Sequence, residues 1–210
     1  MVQLLYIYGG MIVPNTFVCL HNLIGLYNSG INNEKPFVCE TYNRYASIIN
    51  NKNEFVFTSN HKFMGAPKRS AVIHDMVEYI RKRNEKAHYS AEPEFFGYIS
   101  KWLNNEVSRN HINLVDGKFI GIKIQSGKAL LMEDLLVEND KPIIDPKSFG
   151  IEIPGEEILK RTAFNWFSVM PLQQLIQTKL VIVHYLKLSL VEPSKEEDHL
   201  NELSRTVVAI

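Results

Sequence analysis

The residues with the clearest chemical potential lie in the string Arg83-Asn84-Glu85-Lys86-Ala87-His88, where a guanidinium and an imidazole are separated by four residues. The same string closes a basic run, Arg81-Lys82-Arg83, which also suits a solvated helix end whose dipole favours cations. Other combinations are poorer. Ser70 with His74-Asp75 has the residue types of a triad, but Ser70 reads as a helix N-cap and there is no Gly-x-Ser-x-Gly elbow. His61, His74, His88 and His111 lack the spacing of a zinc site, so they read as core or surface histidines. Gly9-Gly10 opens neither a dinucleotide nor a Walker string, and no cofactor or metal is expected. Cys19 and Cys39 are too far apart for a Cys-x-x-Cys pair. They read as buried thiols, or as a disulfide within or between chains.

The Arg83–His88 string resembles the R-x4-6-H signature of HEPN ribonucleases, which are metal-independent enzymes of toxin and antiviral systems. The resemblance covers six residues and implies an RNA-cleaving site. In it His88 acts as general acid or base, Arg83 holds the scissile phosphate through its planar fork, and Asn84 orients the Arg. The family is all-helical.

The elements that must position these residues follow from periodicity and turn chemistry. Thr16–Tyr27 carries apolar residues near helical spacing, with Ser29-Gly30 as its stop. Two β-like runs follow, Pro36–Thr41 and Glu54–Thr58, with an Asn-rich turn before the second. A helix after Ser70 has the apolar face Val72, Ile73, Met76, Val77 and Ile80. Beyond Ser90–Pro93 a second helix shows Phe95, Phe96, Ile99, Trp102, Leu103 and Val107 on one stripe, which predicts a packed helical pair.

Residues 112–153 predict a small antiparallel β-meander, with Asp116-Gly117 and Ser126-Gly127 as its hairpin turns. From Glu156 to Met170 the pattern is helical, and Pro171 either kinks this helix or starts another. Residues 179–191 fit a strand or a helix. The fold class expected is therefore α+β and helix-dominated, with helical N- and C-terminal regions around the meander. Residues 1–192 form one compact domain, and 193–210 a C-terminal tail or docking arm.

Composition then bears on function. The 210 residues hold 23 basic and 23 acidic side chains and are 45% hydrophobic, enough apolar material for a full core. Neutrality argues against a generic nucleic-acid binder and favours association. The first 60 residues contain only three basic and three acidic side chains but ten of the 18 Asn, so this stretch needs cover from its own chain or another copy. The tail ends on Thr206-Val207-Val208-Ala209-Ile210; Val207, Val208 and Ile210 can dock into a groove on the same chain or a neighbour.

The apolar start at Leu4–Val13 lacks a basic n-region and is interrupted by Gly9, Gly10 and Pro14, so an intracellular product (cytoplasm or nucleus) without signal peptide or membrane association is expected. Abundant Asn, Ile and Lys beside only seven Arg fits an AT-rich source such as a large DNA virus. These features point to a non-enzymatic, self-assembling structural protein, a virion component or occlusion-body (polyhedrin-like) lattice former, whose partner is itself. Its Tyr and His residues would make disassembly depend on pH. The HEPN-type endoribonuclease is the alternative, and only under it is RNA a partner.

Overall fold

The computed structural model describes residues 1–43, 55–86, 92–138, 143–155, 158 and 161–190. It is a helix-dominated α+β fold built on two small sheets. Helix α1 (Val2–Tyr8) ends at Gly9, whose φ of 71° lies in the left-handed region and whose Cβ would stand 2.7 Å from the Lys68 backbone nitrogen. The chain then forms β1 (Gly10–Ile12), β2 (Phe17–Cys19) and α2 (Leu23–Gly30), the last capped by the Asn22 side chain, which accepts from Ile24 N at 2.9 Å. Strands β3 (Phe37–Tyr42) and β4 (Phe57–Ala66) pair antiparallel. After the long helices α3 (Ala71–Lys86) and α4 (Glu92–Ser108), strand β5 (Asn113–Val115) returns to lie parallel to β3. The resulting sheet has the order β1-β4-β3-β5.

Phe37, Val38 and Cys39 at the centre of β3 are each fully buried, and alternation sends them to opposite faces of the sheet. Val38, with Met64 and Ala66 of β4, packs against Leu5, Ile73, Met76, Ile99, Leu103 and Ile112. Helices α1, α3 and α4 thus cover that face. Phe37 and Cys39 face Leu26, Phe63, Ile120 and Ile122 on the other. The Phe37 ring fits because Gly30 and Gly65 flank it: a Cβ on Gly65 would stand 2.2 Å from a ring carbon, and one on Gly30 2.5 Å.

The predicted helical pair is present as α3 and α4, while the predicted β-meander at 112–153 is not. Among the described residues of that range only β5 and β6 (Gly150–Glu152) are strands, and neither pairs with the other: β5 joins β3, and β6 joins β2 antiparallel. Asp116-Gly117 does not turn a hairpin. Asp116 caps a 3-10 turn at Gly117–Ile120, accepting from Lys118 N at 2.8 Å, because an Asp before Gly serves a helical start as well as a β-turn. Ser126-Gly127 does turn, joining the isolated antiparallel bridge Lys123–Ala129, with Gly127 at φ 84°. The Ala129–Val137 run instead contains the short helix α5 (Met132–Leu135).

The helix expected at Thr16–Tyr27 begins only at Leu23, because Phe17–Cys19 pair with β6. Of the strand expected at Glu54–Thr58, Phe57 and Thr58 open β4, which runs on to Ala66, and Glu54 lies outside the described residues. Pro171 starts a new helix: α6 (Asn165–Val169) stops before it and α7 (Leu172–Gln177) follows. The ambiguous 179–191 stretch contains helix α8 (Val181–Ser189), whose Val181, Ile182, Val183 and Tyr185 are buried beside Leu130, Met132, Leu135, Ile144 and Ile151 in a second core.

Candidate functional site

The Arg83 and Asn84 side chains point in different directions, as one residue turns a helix by about 100°. The Arg83 guanidinium carbon lies 3.7 Å from the Tyr98 ring centre, and Nε donates to the Tyr79 hydroxyl at 3.4 Å. Tyr79 in turn stacks on Trp102 at 5.9 Å. This packing joins α3 to α4 through a cation–π contact. Asn84 faces away, lining a groove of about 470 Å³ with Val2, Gln3, Val77, Ile80, Arg81 and Glu85. Asn84 is therefore turned away from the guanidinium that the ribonuclease resemblance would have it orient. His88 lies outside the described residues. A mixed four-stranded sheet at the core also departs from the all-helical architecture that the resemblance implies.

Cys19 and Cys39 are both free thiols. Cys19 is exposed at the end of β2, and its Sγ donates to the His21 carbonyl at 3.0 Å. Cys39 is fully buried, and burial, with Glu152 and Glu40 close by, pushes its thiol well above the usual range. Only Cys19 is placed to form a cross-link between copies. His74 and Asp75 are exposed and 3.9 Å apart. Among the described residues no cluster of three or more His, Cys, Asp or Glu is arranged to hold a metal ion, and no helix is long and apolar enough to cross a membrane. Val207, Val208 and Ile210 lie outside the described residues.

Sequence reading missed a buried polar joint between the two sheets. The register of β3 against β4 jumps between Val38–Met64 and Glu40–Ser59, so that β4 bulges opposite Cys39. The bulge turns on itself, with Asn60 Oδ1 accepting from Lys62 N at 2.9 Å. Asn60, 3% exposed, reaches across to β6, where its Nδ2 donates to both carboxylate oxygens of Glu152 at 2.8 and 3.1 Å. Burial raises the Glu152 pKa to about 7, against the lowering effects of the Asn60 amide and the Lys62 charge. Beside it Glu40 pairs with Lys123, accepts from Gly117 N at 2.7 Å, and shares Lys123 with Asp116 at 3.3 Å. No motif marks these residues, since they are drawn from β3, β4, β6 and the 116–123 turn.

The other unusual feature is the surface of the C-terminal helices. Between residues 161 and 178 only Phe164 and Leu175 are buried, and Phe167 and Met170 pack half-buried against the second core, so α6 and α7 cover that core through few side chains. Large apolar side chains face out: Trp166 is 41% exposed, Val169 78%, Leu172 66% and Ile176 41%, with Leu188 and Leu190 on and after α8 also exposed. Residues 162–178 contain no Asp, Glu, Lys or Arg. Soluble proteins seldom leave so many large apolar groups uncovered in one segment unless that surface binds something. No family model, curated protein or solved structure matches the chain.

Proposed function

We propose that the chain is a self-assembling structural subunit whose C-terminal helices α6–α8 form an interface with another copy. The observation that carries this reading is the uncovered, charge-free apolar surface on Trp166, Val169, Leu172 and Ile176. At their exposures these four, with Leu188 and Leu190, leave on the order of 700 Å² uncovered, close to the roughly 800 Å² per partner of a standard interface. Trp166, Val169, Leu172 and Ile176 lie within residues 162–178, which hold no Asp, Glu, Lys or Arg, so burying these four desolvates no charge of their own segment. Equal numbers of acidic and basic residues add no net repulsion between copies. The Asn-, Ile- and Lys-rich composition fits a viral setting, such as a virion component or an occlusion-body lattice former, acting inside the cell.

The test is sedimentation velocity on the wild type and the double variant Val169→Asp/Leu172→Asp at neutral pH. Both positions are exposed, so the fold tolerates the change, while two buried carboxylates at the interface are incompatible with association. The expected result is a wild type that sediments as multiples of 24.2 kDa and a variant that does not. Identical distributions for the two proteins would remove this surface from the assembly.

A further inference from the structure

The β2–β6 sheet meets β4 through an apolar and a polar contact. Phe17 packs edge-on against Phe63 with ring centres 4.9 Å apart, a contact indifferent to pH. The polar contact is the Asn60–Glu152 pair, in which one uncharged amide serves both carboxylate oxygens at 2.8 and 3.1 Å. Asn60 is held in place, since it is 3% exposed and its Oδ1 is engaged by Lys62 N within the bulge. Glu152 is half-buried, so protons reach it from solvent, yet it forms no ion pair among the described residues. Lys62 acts on it only from a distance. An anion so placed has exchanged much of its water for a single neutral amide, whereas the neutral acid fits without that cost.

We propose that the Asn60–Glu152 joint is a proton-operated latch: protonated, it holds the β2–β6 sheet on β4, and ionised, it lets that sheet open ahead of the rest of the fold. The two sides of the latch are separately supported. Ile151 of β6, 2% exposed, belongs to the second core that α6–α8 cover, so those helices move with β6. The core of Val38, Met64 and Ala66 against α1, α3 and α4 uses no residue of β2 or β6, so the four-stranded sheet stays closed. Burial raises the Glu152 pKa to about 7, which sets the change near neutrality.

The other titratable groups around the joint are accounted for. On β3, Glu40 pairs with Lys123, which Asp116 also meets at 3.3 Å. Burial raises both thiols, Cys39 on β3 and Cys19 on β2. His61 turns to the other side of β4, stacked on Phe96 at 4.4 Å. His21, just after β2, has Nδ1 2.7 Å from the Ser148 carbonyl, and a variant confined to Glu152 leaves it unchanged.

The experiment is hydrogen exchange read by mass spectrometry on the full-length wild type and Glu152→Gln at pH 5 and pH 8.5, corrected for the intrinsic pH dependence of amide exchange. If the closed state binds the proton with a pKa of about 7 and the open state at the ordinary 4.5, protection of residues 17–19 and 150–152 should fall on the order of fiftyfold between the two pH values in the wild type. Residues 37–42 and 57–66 should keep theirs, and Glu152→Gln should show no such fall. Asn60→Ala, which removes the donor, is expected to lose β2–β6 protection already at pH 5. Equal β2–β6 protection of the wild type at both pH values would overturn the latch. So would a fall as large in Glu152→Gln, a fall shared equally by β3 and β4, or an Asn60→Ala variant as protected as the wild type at pH 5.

Discussion

Replacing Glu152 by Gln separates the cost of a buried charge from the hydrogen bonds that hold the two sheets together. In the folded chain Glu152 of β6 meets β4, with the Asn60 amide on both its oxygens, Lys62 as the nearby cation, and Cys39 of β3 close by. Its pKa stands near 7, raised by burial from the ordinary 4.5. Below about pH 4.5 folded and unfolded chains both carry the proton and the group exerts no pH-dependent effect. Between 4.5 and 7 the unfolded chain releases its proton while the folded chain keeps it, so stability falls as pH rises. Above 7 the folded chain holds a buried anion and bears the full cost, about 3 kcal/mol at 1.36 kcal/mol per unit. Gln has nearly the same shape, still accepts from Asn60, and never ionises. Glu152→Gln is therefore expected to be more stable than the wild type at pH 8, by up to about 3 kcal/mol or roughly 5–10 °C in Tm, and about equal to it at pH 4.5. The assay is urea denaturation followed by circular dichroism at the two pH values. A variant that is no more stable at pH 8, or that gains equally at both, would refute the reasoning.

The remaining predictions concern packing and the thiols. Gly65→Ala places a methyl 2.2 Å from a Phe37 ring carbon and should destabilise the chain by about 1–3 kcal/mol, the usual cost of overpacking; unchanged denaturation would show that the Phe37 pocket yields freely. Native protein should react with one equivalent of a thiol reagent at exposed Cys19, and with two only after unfolding, since Cys39 is buried and its thiolate disfavoured. Rapid labelling of both thiols in the native state would contradict that placement.

The helices were readable where their own periodicity decided them. The stripe from Phe95 to Val107 became α4, and the face from Val72 to Ile80 became α3, because each buries one side against the sheet. The strands were misplaced wherever pairing is long-range. Phe17–Cys19 looked like the start of a helix, yet pairs with Gly150–Glu152 more than a hundred residues on. Asn113–Val115 looked like the first arm of a hairpin, yet finds β3. Asp-Gly chemistry is shared by hairpin turns and capped 3-10 turns, and only the partner strand chooses between them. The polar joint had no local signal at all, because Asn60 and Glu152 meet only through the β4 bulge and the β2–β6 pairing. The apolar surface at 166–176 was not legible either: a helical pattern over 156–170 fixes an element but not which of its sides the rest of the chain leaves uncovered.

The central claim is that this chain associates with itself through apolar surface. Sedimentation equilibrium of the wild type at pH 7, across a hundredfold range of concentration, tests it most directly. The account predicts a weight-average mass that rises with concentration well above 24.2 kDa. A mass of 24.2 kDa at every concentration would contradict it.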